Sequence, residues 1–402
     1  MELFENWSET KEVLLGGLPE HKKSYMARIM ENQKQHLMET AAAGVSAAGA
    51  IGNFQKIIIP MIRRIIPGTI ATELVGIQPM SGPVSLAYSM RFLFSQSLDV
   101  PAQGVGPEDI IGGQTEVFGN NSKTKRWYSG ATDANNVALG TAALTADFEA
   151  FGGRQLQLEV LKQTVTAGSR KLQAKWTVEA MQDLSAQHGL DLEAEITAAL
   201  SSEIVSEIDN EIINDLIGLA GTVESFDMNA TNFTGVPNYV GDRFAVLGVL
   251  INKVANEIGR KTRRGSANWI VVSPLVASLL QSAAKSVFAP AVSGSFEGPN
   301  NTKLIGVLNG AVKVYTYIYH DTGSEPVLLG YKGGNGEMDT GYFYCPYVPL
   351  MSSNVVIDPA TYNPQISLMT RYGKATFTDS STSLGNSADY FGRINVSNLS
   401  FI

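Results

Sequence analysis

Residues 191–217 read DLEAEITAALSSEIVSEIDNEIINDLI, and this stretch decides the fold. Apolar side chains recur at every fourth position, which places them along one face of a helix. These side chains are Ile196, Leu200, Ile204, Ile208, Ile212 and Leu216. The flanks are acidic, at Glu193, Glu195, Glu203, Glu207, Glu211 and Asp215. Asp191 is a suitable N-cap, and Gly189, Gly218 and Gly221 are breakers that bound the segment. The pattern predicts an ordinary amphipathic core helix or, at roughly 40 Å, a long support on which a sheet lies.

The composition is that of a globular protein of two or three domains. The 402 residues are 44% hydrophobic and carry a formal net charge of −8, which argues against a nucleic-acid binder that neutralises phosphates. One cysteine, Cys345, excludes a disulfide framework and a cysteine metal cluster. The most apolar run, residues 57–66, contains Arg63 and Arg64, so it is too short and too charged to span a bilayer. The acidic start does not resemble a signal peptide, and we expect a soluble protein in a reducing compartment.

The first part of the chain changes composition abruptly. Residues 1–39 are polar, and KKSYMARIMENQKQHLME at 22–39 predicts an exposed helix. Residues 40–53, TAAAGVSAAGAIGN, carry no charge and almost no large side chain, so they cannot build a core and mark the clearest boundary. The apolar segment that follows, residues 54–83, predicts a short helix and then extended chain. It belongs either to the core of its own domain or to an interface with a neighbouring subunit.

A long protrusion is predicted next. Residues 84–94, VSLAYSMRFLF, indicate a strand, and residues 155–168 alternate well enough to be its returning partner. The chain between them is rich in Gly, Asn, Ser and Thr, which favours a loop or hairpin with little core. A helix is predicted for residues 171–187, leading into the long helix.

Beyond the long helix the pattern indicates a compact α/β unit. Residues 244–260 and 275–286 predict helices, and 267–274 predict a buried strand between them. Residues 307–319 alternate around Asn309-Gly310, which is a strong hairpin signal. Strands dominate from residue 327 onward.

Signatures of catalysis are missing. The sequence has no P-loop, GxSxG or HExxH motif, and turn geometry explains the glycine-rich residues 333–336 better than phosphate binding does. The histidines are too far apart for a metal site: His21, His36, His188 and His320. A small basic and aromatic patch around Arg126 and Trp127 could touch nucleic acid, but on an acidic chain protein contacts are the better reading. We expect no enzyme activity, no cofactor and no metal.

Six blocks of sequence keep a fixed order and cover most of the chain from Ile58 onward. They are RRIIPGTIATELVGIQPMSGP (63–83), KLQAKWTVEAMQDLSAQHGLDLEAEITAALSSEIVSEIDNEI (171–212), GSANWIVVSP (265–274), GYKGGNGEMDTGYFYCPYVPL (330–350), TRYG (370–373) and SLGNSADYFGR (383–393). Together they resemble the major capsid proteins of T-even-type (T4-like) tailed phages. Residues 95–155 depart from the family pattern.

The resemblance implies an α+β structure, the Hong Kong 97-type capsid fold. The implied segments are a cleavable propeptide (1–39), an N-terminal arm (40–83), an extended loop (84–168), a peripheral domain with the spine helix (169–221), an axial domain (222–339), and return strands of the peripheral domain with the C-terminus (340–402). Copies would assemble as hexamers into an icosahedral virion shell in the bacterial cytoplasm. The shell would enclose double-stranded DNA without reading its sequence, and no membrane is involved. Arm and loop would reach over neighbours, with Arg63, Arg64, Arg126 and Trp127 as candidate contacts between subunits.

The resemblance also implies maturation by a prohead protease that cuts after Glu in a Leu/Ile-x-Glu pattern. The chain has 23 glutamates. The four that fit lie within the first 39 residues: Glu5, Glu20, Glu31 and Glu39. None of the 16 from Glu73 onward fits. We predict a final cut between Glu39 and Thr40, with Leu37 and Met38 completing the site. The alternative is chance clustering in a leucine-rich leader.

Further partners implied by the family are a scaffold and the vertex, portal and decoration proteins. Two other functions stay open at this stage. One is a related pentamer-forming vertex protein, which would share the fold and close a different symmetry. The other is a soluble α/β enzyme, for which Glu, Asp and His side chains would have to converge from distant segments.

Overall fold

The structure is a computed structural model in which helices and strands are mixed along the chain, so the fold class is α+β. It describes residues 11–12, 15–16, 23–32, 69–95, 98–99, 110–111, 131, 141–149, 155–189, 191–228, 240–262, 264–282, 288–290, 304–318, 325–333, 340–353, 355–377 and 387–399. Residues 23–32 are helical and are here called the leader helix. The later helices are α1 (Ala71–Leu74), α2 (Thr145–Glu149), α3 (Val178–His188), α4 (Leu192–Leu219), α5 (Val240–Thr262) and α6 (Pro274–Ser282).

The strands form two larger sheets and two small ribbons. They are β1 (Gly76–Ile77), β2 (Val84–Phe94), β3 (Leu98–Asp99), β4 (Ile110–Ile111), β5 (Leu156–Thr166), β6 (Gly168–Lys175), β7 (Thr222–Asp227), β8 (Trp269–Val272), β9 (Phe288–Pro290), β10 (Leu304–Leu308), β11 (Val312–Thr316), β12 (Glu325–Gly330), β13 (Tyr342–Ser352), β14 (Val356–Ile357), β15 (Pro364–Thr376) and β16 (Phe391–Ser397).

The long helix α4 forms as its pattern predicted. The Asp191 carboxylate caps it by accepting a hydrogen bond from the Glu193 backbone N–H at 3.1 Å. The four-residue stripe is buried from Leu200 to Leu216. Gly218 does not end the helix, contrary to the prediction, because one glycine costs only about 1 kcal/mol in a helix that packing already holds.

A five-stranded sheet lies on α4. Its order is β1-β13-β15-β14, and β6 also pairs with β15. Tyr344, Leu350 and Leu368 from this sheet share one buried cluster with Ile204 and Ile212 of the helix. The prediction that the long helix is a support on which a sheet lies is therefore confirmed.

The helix predicted for residues 171–187 is wrong in its first part. Residues 168–175 form β6, which pairs antiparallel with β15 along eight residues. Only Val178–His188 is helical, and the Thr177 hydroxyl caps it by accepting from the Ala180 backbone N–H. The local sequence favours a helix, but ladder hydrogen bonds to a strand almost 200 residues away decide the outcome.

The second sheet has the order β7-β16-β12-β8-β11-β10-β9 and is covered by α5 and α6. The hairpin signal at residues 309 and 310 is confirmed, because both residues adopt positive φ between β10 and β11. The last described strand, β16, lies between β7 and β12. This pairing differs from the expected grouping of residues 340–402 with the peripheral sheet.

The protrusion begins with a long ribbon. Strands β2 and β5 pair antiparallel over eleven residue pairs, from Val84↔Thr166 to Phe94↔Leu156. This confirms both strand predictions and defines the structure called the hairpin below. The hairpin, the long helix under a sheet and the second sheet with its helices fit the α+β arrangement that the resemblance implies.

The leader helix is not exposed, contrary to the prediction. Tyr25, Met26, Ile29 and Met30 are buried in the same apolar cluster as the long helix. The spacing of these four residues, with pairs at i and i+4, makes a stripe on one face of the helix. That stripe packs against another apolar surface, whereas the polar residues around it suggested an exposed helix in the sequence.

Candidate assembly surface

One face of the hairpin is mainly apolar, and its described side chains are exposed in the single chain. Side chains of directly opposite residues in an antiparallel ribbon point to the same side, so the even-numbered positions of β2 and β5 share a face. The exposed members of this face, called the apolar face below, are Val84, Leu86, Tyr88, Phe92, Leu156, Leu158 and Val160. Phe92 and Leu158 lie directly opposite each other and are 46% and 53% exposed. Contiguous apolar surface of this kind marks an interaction site.

The opposite face anchors the base of the hairpin to the five-stranded sheet. Ala87 and Val165 are buried with Met80, Phe343 and Cys345 in a small cluster of their own. The β15 backbone approaches so closely at Gly373 that a Cβ atom there would lie 2.5 Å from Val165 Cγ1. The hairpin therefore leaves the body of the subunit in a defined direction with its apolar side outward.

An ionic network fastens α4 to the sheet above it. The Arg170 guanidinium on β6 donates to Glu207 at 2.7 Å and to Glu211 at 2.6 Å, because the two carboxylates lie one helical turn apart. Arg170 Nε donates to the Tyr372 hydroxyl at 2.6 Å, and that hydroxyl donates to Glu211. Lys374 on β15 completes the network with bonds to Glu211 and Asp215.

The network changes the pKa values of its members. Burial alone would raise the pKa of Glu211, but hydrogen bonds from Lys374, Tyr372 and Arg170 outweigh it and lower the pKa to about 2. Burial alone would lower the pKa of Arg170, but the bonds to Glu211 and Tyr372 outweigh it and raise the pKa. Burial and the bond to Glu211 raise the pKa of Tyr372. Arg170 and Glu211 are therefore charged at neutral pH while Tyr372 keeps its proton, and the network joins α4 to β6 and β15.

A buried carboxyl holds the last part of the arm, next to the hairpin. This segment, residues 69–80, is called the arm root. Asp209 of α4 is 2% exposed, and its Oδ1 accepts a hydrogen bond of 2.9 Å from the Ile70 backbone N–H. Its Oδ2 has no hydrogen-bond partner among the described residues. Burial raises the pKa of Asp209 well above its ordinary value, against the lowering effect of the backbone bond.

Further contacts fix the arm root from the other elements. Strand β1 pairs in parallel with β13, and the Gln78 and Met80 backbone N–H groups donate to carbonyl groups of β13 at 3.0 Å each. Lys332 Nζ donates to the Thr72 carbonyl at 2.7 Å. The arm root is therefore part of the body of the subunit, and the hairpin begins from a fixed point.

The residues predicted as sites lie outside the described part of the chain. These are the cleavage site, Leu37, Met38, Glu39 and Thr40, and the candidate contacts, Arg63, Arg64, Arg126 and Trp127. The sequence did indicate one element of the observed surface, because the apolar residues of VSLAYSMRFLF fall mainly on even positions. Asp209 also had a signal, since it occupies a buried row at every fourth position between Val205 and Ile213.

Within the described residues, no three His, Cys, Asp or Glu side chains come together as a metal ion would require. No helix in this part of the chain is long and apolar enough to cross a membrane.

Comparisons with known proteins identify the family. The model of the family described as "Major capsid protein Gp23" matches residues 51–396. The major capsid protein of Vibrio phage KVP40 is 28% identical, over 96% of this chain and 96% of that protein. The major capsid protein of Enterobacteria phage T4 is also 28% identical, over 92% and 90% of the two chains.

Among solved structures, the capsid of Myoviridae phage XM1 covers 82% of this chain and 90% of its own, with 10% identity and a TM-score of 0.43. The family assignment rests on the sequence match, which leaves out only the first 50 and the last six residues of the chain. The chain therefore belongs to the Gp23 family of major capsid proteins, which form the head shell of tailed phages.

Proposed function

We propose that this capsid subunit closes its shell by laying the apolar face of the hairpin on a neighbouring copy. The observation that supports this is the exposed pair Phe92 and Leu158, with apolar neighbours on both strands. Burying such a face removes apolar area from water, which is the main driving force of association. Each contact is modest, but every subunit in the lattice makes it, so the closed shell is stable through multivalency.

The hexamer is the proposed building unit, and the shell encloses double-stranded DNA. A net charge of −8 suits a container for DNA, because a shell that attracted phosphates strongly would impede packing and ejection. Arg63, Arg64, Arg126 and Trp127 remain candidate contacts between subunits. Replacing Arg63 and Arg64 with alanine should lower particle yield more than subunit solubility, and an unchanged yield would remove them from the interface.

Residues 1–39 are the proposed propeptide. Support comes from the sequence, where all four glutamates in the Leu/Ile-x-Glu context precede residue 40. A prohead protease would make the final cut between Glu39 and Thr40, after which the leader leaves and maturation becomes irreversible. A scaffold and the vertex, portal and decoration proteins are the further proposed partners.

The test is the mass of the chain in mature particles. An N-terminus at Thr40 is expected, and Glu39→Gln should shift it to an earlier site, whereas Glu9→Gln, outside the pattern, should leave it at Thr40. An intact Met1 in infectious particles would refute the cleavage.

A further inference from the structure

The leader helix is the described part of the proposed propeptide, and it is built into the subunit. Four of its ten side chains are almost fully buried: Tyr25 (4% exposed), Met26 (0%), Ile29 (0%) and Met30 (3%). They belong to the apolar cluster that also contains Ile70, Leu74, Val75 and Ile77 of the arm root. Most of the stability of a helix in a protein comes from the packing of its apolar face. Its order therefore comes from the surface on which it packs.

Polar contacts extend this packing toward the base of the hairpin. The Asn32 side-chain amide donates to the Met80 carbonyl at 2.8 Å, at the end of the arm root. Arg28, on the same helix, lines a cleft of about 280 Å³ together with Ile77, Ser85 and Leu86. The leader helix therefore contacts the end of the arm root and lines this cleft together with the first residues of β2.

The arm root is held by two kinds of contact. On one side are parts of the permanent fold, namely the Asp209 carboxyl and strand β13. On the other side is a helix that belongs to the segment proposed to be removed. The hairpin starts four residues after Met80, so a loss of contacts at the arm root directly affects the base of the hairpin.

We propose that the leader helix is a removable clamp, which locks the arm root to the base of the hairpin until the propeptide leaves. This inference rests on the proposed cleavage of residues 1–39 and adds its regulation. While the clamp is closed, the arm root is covered by the chain's own leader. Once it opens, the arm root and the base of the hairpin lose one of their two supports and are free to adjust to neighbouring copies.

The clamp also controls one of its own cleavage sites. Glu31 ends the sequence Ile29-Met30-Glu31, which fits the Leu/Ile-x-Glu pattern. Ile29 and Met30 face the apolar cluster and their backbone is helical, so a protease reaches this site only when the helix opens. The bond after Glu31 is therefore latent. Its cleavage follows release of the clamp, and a cut there destroys the helix and prevents rebinding.

The first test is limited proteolysis of the full-length, unassembled chain with a glutamyl endopeptidase, followed by mass spectrometry over time. Met26→Ser removes a fully buried side chain and should speed the cut after Glu31 at least 10-fold. Ser24→Ala, on the exposed face of the same helix, is the matched control and should stay within twofold of wild type. Equal rates in wild type and Met26→Ser would overturn the proposal. This protease is not the maturation enzyme, so the result does not depend on whether the proposed cleavage after Glu39 takes place.

The second test is hydrogen exchange of the arm root in the same variants. The Gln78 and Met80 amides, bonded to β13, should exchange at least 10-fold faster in Met26→Ser, while amides of Ile204–Ile212 in α4 keep their wild-type rates. If the cut at Glu31 is faster but exchange at residues 76–80 is unchanged, the helix does not hold the arm root and the clamp is rejected. Faster exchange in α4 as well would also reject it, because a clamp must open without unfolding the body.

Discussion

The apolar face of the hairpin leads to the sharpest prediction. The double variant Phe92→Ser and Leu158→Ser should abolish particle formation while leaving the subunit folded. Complete burial of such side chains stabilises by about 1.5–3 kcal/mol each. Since the two are 46% and 53% exposed in the single chain, burial of the remainder by a neighbour is worth about 1 kcal/mol each. The pair therefore weakens each contact by about 2 kcal/mol, or roughly 30-fold.

The loss is repeated at every contact of the lattice, so a 30-fold weakening per contact is enough to stop closure. Within the subunit, the same change removes a cross-strand pair worth about 0.2–1 kcal/mol. The assay is particle yield by sedimentation and negative-stain microscopy, beside chemical unfolding of the unassembled subunit. Gln157→Ser, on the opposite face of β5, is the control and should assemble normally. Particles of normal size and yield from the double variant would refute the docking of this face.

Three further predictions concern the interior. Glu211 has its pKa lowered to about 2, so its contribution to folding stability is present above about pH 4.5 and is lost as the pH falls toward 2. Glu211→Gln should lower the free energy of unfolding by about 1–2 kcal/mol at pH 7, allowing for solvent screening. In urea unfolding, the difference between the variant and wild type should vanish in acid, and a difference that stays constant with pH would contradict the prediction. Gly373→Ala should lower the stability of the subunit by about 1–3 kcal/mol, because the new methyl group overpacks against Val165. Adding Val165→Ala should recover part of the lost stability in thermal melts, and no recovery would contradict this explanation. Asp209 has a raised pKa, so folding favours its protonated form and stability falls as the pH rises through that pKa. Asp209→Asn should then be as stable as wild type at pH 8, or more stable. Asp209→Ala leaves the Ile70 N–H without an acceptor and should lose about 1–3 kcal/mol of stability. Similar thermal melts for the two variants would show that this hydrogen bond does not matter.

Elements set by local pattern were predictable from the sequence. Helix α4 begins at the predicted cap because an acceptor at Asp191 and a long apolar stripe agree with each other. Strand β2 has the predicted bounds, residues 84–94, because alternation is strong there. The hairpin between β10 and β11 follows from Asn309-Gly310, where backbone sterics leave little choice.

Elements set by distant partners were not predictable. Residues 171–175 are a strand only because β15 pairs with them. The ionic network was visible only as acidic positions on the flank of α4, since Arg170, Tyr372 and Lys374 are brought to Glu211 by the sheet. The burial of the leader helix likewise depends on the arm root, some 40 residues further along the chain.

The position of β16 has a consequence for biosynthesis. This strand, Phe391–Ser397, occupies an interior place in its sheet, with β7 on one side and β12 on the other. That place is filled only after the ribosome has released residue 397, because β16 joins the edge strand β7 to the other five strands of the sheet. A product terminated before residue 391 would leave β7 without its partner strand and one edge of β12 unpaired.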